Sequence, residues 1–362
     1  MSTRLAEEAE AAMLRGPYSV LDKSGCAPSG DRHDYWSPSP YWWPDPDSKS
    51  GLPYVRRDGR RVPGSRLYDD LCGEFDRTRL QRTFDDVTIL ALAWEHFGEE
   101  RYADHAARSI RSWFLDPRSA MNPSLEYAQV RRGHNRNKGF SSGVIEMKDL
   151  YYFLDAVRVI VRSGAVSKQE HAQFRKWLGQ YLKWLTTSTQ GKKECATANN
   201  HGTYYDLQIA AIGSFLERRR LVKKTVRRSR RRLAEQFDAR GRQVYEIQRT
   251  QSLSYCSFNM QGWIHLARLA DGFGLDLWTV EGEHGRSIRQ GMQWLLDYVD
   301  RPWPYTQIDA FDTQRFHPIA YTFHTIYGTS ADTACVRVPE LDSIEPLFHP
   351  GDGIRPFWQL FY

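Results

Sequence analysis

The sequence contains no apolar run of the roughly 20 residues that a membrane-spanning helix needs. It has five cysteines, an odd number with no Cys-x-x-Cys pair among them. Neither a disulfide framework nor a zinc ribbon is therefore indicated. Residues 1–14 lack the apolar core of a signal peptide. Two interpretations stay open here: the protein remains in the cytosol, or the chain begins after a removed leader.

The composition is that of a packed protein with many aromatic rings. Apolar residues make up 41% and charged residues 26% of the 362 positions, which excludes a disordered chain and a collagen. The aromatic residues include 12 Trp, 19 Tyr and 17 Phe. We expect a single domain over residues 1–362.

The formal net charge of +6 comes from one stretch of the chain. Ten of the 50 basic residues fall between positions 218 and 232, and without them 40 basic residues face 44 acidic ones, a balance of −4. Apolar residues at helical spacing run through the stretch as far as Leu233. It is predicted to be an amphipathic helix with a solvated basic face. The alternative is a surface that contacts a polyanion or a membrane.

Most of the chain after residue 76 has the apolar periodicity of helices joined by short turns. The predicted helices cover residues 76–97, 102–115, 145–161, 168–185, 201–216, 221–237, 257–270 and 285–299. Helical hairpins that each bury one stripe stack side by side, and at this length they can curl into an α/α toroid, a barrel of helical hairpins that leaves a cleft lined by the loops at one end. An open α-solenoid is the alternative, although no repeat period is readable.

The remaining segments are predicted to lack helices. Residues 15–68 are rich in proline and aromatic residues and are expected to form a loop segment over the cleft. Residues 320–362 are expected to be an irregular tail. Short strands are expected near residues 243–247 and after Tyr321.

Three polar or aromatic segments are candidates for function. The first, residues 35–46, contains Tyr41, Trp42 and Trp43, whose rings can stack on the apolar faces of sugars. The alternative is that the two tryptophans plug the core as a rigid lid, since large aromatic side chains usually serve packing.

The second segment, residues 197–208, places Asn200 and His201 at the start of a helix, and asparagine is a favoured N-cap residue. The third, residues 246–259, places Arg249 and Tyr255 just before a helix. A nearby arginine favours the phenolate of tyrosine, whose ordinary pKa is about 10. A structural histidine, an ordinary arginine salt bridge and a half-buried tyrosine are the simpler alternatives.

Asparagine, histidine, arginine and tyrosine together suit β-elimination from a uronic acid polymer. The C5 proton of a uronate lies next to a carboxylate, which an amide and a cation can bind while they stabilise the enolate-like intermediate. Histidine or tyrosine can take the proton, and tyrosine can protonate the O4 leaving group. No metal-ligand spacing is present, so we expect neither a metal nor a cofactor.

At these segments the chain resembles the alginate lyase domain group, which includes polysaccharide lyase families five and thirty-eight, and it is most similar to the family thirty-eight-like branch. The resemblance is carried by motifs that span roughly residues 16–300 in the family's order: residues 41–46, 51–59, 199–206, 249–255 and 274–278. The stretch 134–140 departs from the family's pattern, which affects substrate preference.

The resemblance implies an all-α fold, an incomplete α/α toroid with a central substrate cleft, and lyase activity on alginate, glucuronan or a related polyuronate. It implies that Asn200 and His201 lie near the substrate carboxylate and C5, and that Tyr255 is the acid with Arg249 beside it. His201 is the expected base when the proton and the leaving group lie on opposite faces, and Tyr255 can do both when they share a face. Glu194 is expected to orient His201.

The predicted substrate-binding residues are Tyr41, Trp42, Trp43, Asn137, Lys138, Glu194, Asn199, Tyr204 and Tyr205. We expect an anionic polysaccharide as partner, neither nucleic acid nor a membrane, and a monomer. The resemblance also implies an extracellular location. Two other functions stay open: a glycoside hydrolase, which would need two facing carboxylates, and a non-catalytic protein that binds polyanions through residues 218–232.

Overall fold

The computed structural model describes residues 2–68 and 72–328. These residues fall into two compact units, one up to residue 193 and one from residue 194 onward. The single domain expected over residues 1–362 stays a prediction.

Helices dominate both units. Within the described ranges the α-helices are α1 (Ser2–Met13), α2 (Arg77–Phe97), α3 (Glu100–Ile110), α4 (Leu150–Ser163), α5 (Lys168–Thr187), α6 (Thr189–Cys195), α7 (Asn200–Phe215), α8 (Arg219–Gln236), α9 (Ser252–Asp271), α10 (Ile288–Leu296) and α11 (Phe316–Tyr327). No helix in this part of the chain combines the length and apolar character that a membrane span requires.

The strands are short and lie in the first unit. Strand β1 (Trp36–Pro38) pairs in parallel with β4 (Tyr127–Val130), and β2 (Trp42–Trp43) pairs antiparallel with β3 (Val55–Arg56). The proline-rich segment, expected to be a loop, thus contains a small hairpin and one strand that pairs outside it, and it forms no α-helix, as its prolines predict.

The first unit is built around α2, which packs against α1, α3 and α4. Gly98 ends α2 with a left-handed φ of 71°, and its N–H donates to the Trp94 carbonyl. Ser167 begins α5 with a capping box to Glu170. An aromatic cluster fills the space between these helices; its rings are Phe84, Phe114, Phe153, Phe174 and Trp177.

The second unit is built around α7, which packs against α8 and α9. α7 is buried on almost every side, and even its polar residues are enclosed. The helices α9, α10 and α11 pack against one another. This arrangement holds the first turn of α7, where the Asn200–His201 pair lies, at the edge of a rigid core.

Several helix limits differ from the sequence-based expectation. The helix expected over residues 102–115 is α-helical only to Ile110 and continues as a π-helical turn over Arg111–Leu115, which buries Trp113 and Phe114. Residues 243–247 form turns with a single bridge between Phe237 and Gln243 instead of a strand. Residues 320–327 belong to α11 and are not irregular, and the rest of the expected tail lies outside the described residues.

The basic stretch forms α8, as predicted. Its apolar and small residues are buried, including Val222, Val226 and Leu233, whereas most of its cations face outward. Two of the cations, Arg228 and Arg232, instead turn inward to Asp206 on α7.

Candidate active site

The two polar segments begin helices α7 and α9 of the second unit. Asn199 is the N-cap of α7, and its side-chain oxygen accepts a hydrogen bond from the His201 backbone N–H over 3.2 Å. The expectation that Asn200 caps this helix is wrong by one residue. Asn200 is already within the helix, so its side chain is released from capping and bonds elsewhere.

The partner of Asn200 is Glu246, a residue for which the sequence pattern predicts no role. The Asn200 backbone N–H donates to Glu246 Oε1 over 2.6 Å, and the Asn200 side-chain amide donates to Oε2 over 2.9 Å. Burial raises the pKa of Glu246, while the bonds from Asn200 and the nearby charges of Arg249 and His201 oppose that rise. Glu246 thus joins the Asn200–His201 turn to the Arg249 segment.

His201 contacts Glu194, the residue expected to orient it. Its Nδ1 lies 2.6 Å from Glu194 Oε1, and the Glu194 side chain is only 2% exposed while that of His201 is 19% exposed. An ionised carboxylate only accepts hydrogen bonds, so Nδ1 carries the proton. In the neutral ring Nε2 is then an unprotonated base that a ligand can reach.

Arg249 and Tyr255 are in direct contact. The guanidinium carbon lies 3.8 Å from the centre of the Tyr255 ring. Tyr255 was expected just before a helix, but α9 begins at Ser252 and Tyr255 lies in its first turn. The helix N-terminus and the guanidinium both place positive charge near the phenol, where negative charge on its oxygen is stabilised.

The turn before α7 is clamped from behind by Gln236 of α8. Its amide N–H groups donate to the Ala198 carbonyl over 2.7 Å and to the Asn199 carbonyl over 2.9 Å, and its oxygen accepts from Trp263 Nε1 over 2.8 Å. Arg232 also bonds this turn, and a Cβ on Gly202 would collide with the Arg232 guanidinium. The position therefore requires glycine for close approach rather than for an unusual φ.

A family model for alginate lyase matches residues 19–304 of the chain. The chain belongs to the alginate lyase family. As a member it is an enzyme of the polysaccharide lyase type.

Solved structures agree with this membership. An alginate lyase from Bacteroides ovatus is 33% identical with a TM-score of 0.87, over 93% of this lyase and 90% of that chain. Alginate lyase A1-III from Sphingomonas species A1 is 16% identical with a TM-score of 0.57, over 99% and 92% of the two chains. A variant of alginate lyase A1-III complexed with a tetrasaccharide is 17% identical and has a TM-score of 0.60. The match covers 99% of this chain and 92% of that variant. Among curated proteins no relative matches. The predicted fold class, an all-α incomplete α/α toroid, is confirmed by these matches.

Two of the predicted substrate-binding residues of this lyase are enclosed instead. Tyr204 and Tyr205 are each only 3% exposed. Tyr204 stacks on Phe258 at a centroid distance of 4.2 Å, and its hydroxyl donates to the Phe258 carbonyl over 2.9 Å. Burial, followed by the neighbouring Cys195, raises the pKa of Tyr205. Both rings are therefore packed within the protein, and their direct contact with substrate stays a prediction.

Asp206 anchors the lyase's α8 against α7. It is fully buried and accepts hydrogen bonds from Arg228 Nε over 2.8 Å, Ser229 Oγ over 3.0 Å and Arg232 Nε over 3.1 Å. Removal of this carboxylate leaves two partly buried guanidinium groups without their counter-charge.

We therefore expect Asp206→Ala to lower the free energy of unfolding by about 3–5 kcal/mol, the usual cost of breaking a buried ion pair. Urea denaturation followed by circular dichroism measures this loss. Glu235→Ala, at an exposed position of α8, is the control and should change stability little. Equal stability of the two variants would contradict an anchoring role for Asp206.

The predicted aromatic contacts of the lyase lie in the first unit. Arg131 stacks on Trp42 and Arg57 stacks on Trp43, each with its guanidinium carbon 4.4 Å from the centre of the ring. Burial, together with the charge of Arg56, lowers the pKa of Arg131 to about 10. One face of each tryptophan is therefore already covered by a cation. Sugar stacking by the other faces stays a prediction.

The other first-unit candidates have partners of their own. The Tyr41 carbonyl accepts from the Arg57 N–H over 2.8 Å. Asn137 accepts from the Gly133 N–H over 2.9 Å, and Lys138 forms an ion pair with Glu126. Their contact with substrate also stays a prediction. Within residues 2–68 and 72–328, no three His, Cys, Asp or Glu side chains form a group that suits a metal ion.

Proposed function

We propose that this lyase cleaves 1,4-linked polyuronates such as alginate, polymannuronate or glucuronan by β-elimination. The observation that carries the proposal is a chain of contacts between the two candidate pairs. Glu194 contacts His201, and the adjacent Asn200 donates to Glu246. The Glu246 carbonyl accepts from the N–H of Arg249, whose guanidinium stacks on Tyr255. Family membership supports the same reaction type, and the tetrasaccharide complex of the A1-III variant supports a polysaccharide substrate.

The first requirement of the reaction is to reduce the negative charge of the uronate carboxylate, because a carboxylate anion makes the C5 proton weakly acidic. Arg249 supplies a full positive charge, and the N-termini of α7 and α9 add partial positive charge. Glu246 accepts one Asn200 side-chain amide N–H, which leaves the second for an oxygen of the substrate carboxylate.

The second requirement is two proton transfers. His201 Nε2 takes the C5 proton, the C5–H electrons form the C4–C5 double bond, and the C4–O4 bond breaks. Tyr255 donates its phenolic proton to O4, so the leaving chain departs as an alcohol. The resulting Tyr255 phenolate is stabilised by Arg249, and proton exchange with solvent restores both groups.

The geometry of the substrate determines which group acts as base. When the C5 proton and O4 lie on opposite faces of the ring, His201 and Tyr255 act from the two sides. When they share a face, Tyr255 is the group on that face, and its phenolate removes the C5 proton before the phenol protonates O4. His201 then serves the substrate carboxylate rather than C5.

A screen of the purified protein against several polyuronates tests the proposal. Ultraviolet absorbance should rise as the C4–C5 double bond forms on at least one polymer, and the same screen identifies the preferred uronate. New reducing ends without that absorbance would favour a glycoside hydrolase. No product from any polyuronate would refute the proposal.

A further inference from the structure

The cations of α8 divide into two sets by what they contact. Arg228 and Arg232 bond to Asp206, Arg230 donates to the Asp276 carbonyl over 3.0 Å, and Arg219 stacks on Phe273 at 5.4 Å. These four stabilise the second unit.

The other set covers the outward face of α8. Its members are exposed, and across the described ranges none of them has a hydrogen bond, an ion pair or an aromatic partner: Arg220, Lys223, Lys224, Arg227 and Arg231. We refer to these five residues as the outer basic face. In a helix, cations four residues apart repel each other, as Lys223 and Arg227 do, and so do Arg227 and Arg231. The face therefore destabilises the protein when nothing is bound to it.

The helix that carries the outer basic face ends next to the turn before His201. α7 and α8 are antiparallel, because Arg232 donates to the Cys195 carbonyl over 2.8 Å whereas Val222 packs beside Gly213. The C-terminal end of α8 thus adjoins the turn that precedes His201. The helix has 18 residues, and at 1.5 Å per residue it extends about 27 Å from that end.

We propose that the outer basic face is a second binding surface for the polyuronate, separate from the catalytic residues, which holds a distant part of the chain being cleaved. This rests on the proposed function. A polyuronate carries a carboxylate on every sugar, so one long chain can neutralise several of these cations at once. Such a surface raises the local concentration of polymer near His201, and its effect falls as salt screens the charges.

A quadruple variant tests the surface: Lys223→Gln, Lys224→Gln, Arg227→Gln and Arg231→Gln. At low salt we expect its KM for the long polymer to rise at least about tenfold. Its kcat and KM on a tetrasaccharide should equal those of the wild type. At about 1 M salt, where the screening length is about 3 Å, the difference on polymer should disappear. Because the repulsion is removed, the thermal midpoint should not fall.

The matched control removes the same charge from exposed lysines elsewhere: Lys168→Gln, Lys176→Gln, Lys183→Gln and Lys192→Gln. An unchanged KM for polymer in the α8 variant, or an equal rise in both variants, would overturn the second surface while leaving the lyase reaction intact. Tighter binding of duplex DNA or of anionic vesicles than of polymer by α8 would overturn it too. If the wild type cleaves no polyuronate, calorimetric titration of the polymer into wild type and variant still decides whether the surface binds it.

Discussion

Replacing Tyr255 with phenylalanine should remove the ultraviolet absorbance change on every polyuronate that the wild type cleaves. The substitution deletes only the hydroxyl that protonates O4, and general acid–base catalysis of this kind contributes about two to four orders of magnitude to kcat. The ring still packs against Arg249, so the fold and the affinity for substrate should be retained. Steady-state kinetics on the preferred polymer measure the loss as a fall in kcat with little change in KM.

The control for this experiment is Tyr245→Phe. Tyr245 lies in the segment that connects α8 to α9 and is 39% exposed, so a hydroxyl is deleted there without a change in the proposed chemistry. Circular dichroism and thermal unfolding should show both variants folded. Turnover of Tyr255→Phe close to that of Tyr245→Phe would exclude Tyr255 as the acid.

The sequence predicts the parts of this site that are local. One loop-to-helix junction contains the consecutive residues Asn199, Asn200 and His201. A second junction contains Arg249 and Tyr255, which are six residues apart. The hairpin order of the helices predicts the fold class for the same reason, since periodicity and turn residues are local signals.

The sequence cannot predict the contacts that join these segments. Glu246 lies 46 residues from Asn200, and a lone glutamate before a helix has no spacing that distinguishes it from a surface residue. The early start of α9 is another long-range effect. Ser252 and Leu253 donate to Thr306 and Gln307, which fixes a helical turn that the apolar pattern after Ser257 does not predict.

Glu194 determines which nitrogen of His201 is the base. Glu194→Gln should therefore disable proton removal, although it only exchanges the carboxylate for an amide. The glutamine can present its N–H to Nδ1, which shifts the proton to Nε2 and leaves no base facing the substrate. In the serine protease triad, the corresponding exchange of a carboxylate for an amide lowers kcat by about 10⁴-fold. We expect a fall of about two to four orders of magnitude in kcat with little change in KM.

The substrate geometry provides the decisive comparison for this variant. On a polymer whose C5 proton and O4 lie on opposite faces, Glu194→Gln should show the full loss, because His201 is the base. On a polymer whose groups share a face, Tyr255 takes the proton, and the loss should be much smaller. Glu235→Gln, the same change at an exposed position of α8, should behave as wild type on both. Undiminished turnover of Glu194→Gln on the opposite-face polymer would mean that His201 binds the substrate without removing its proton.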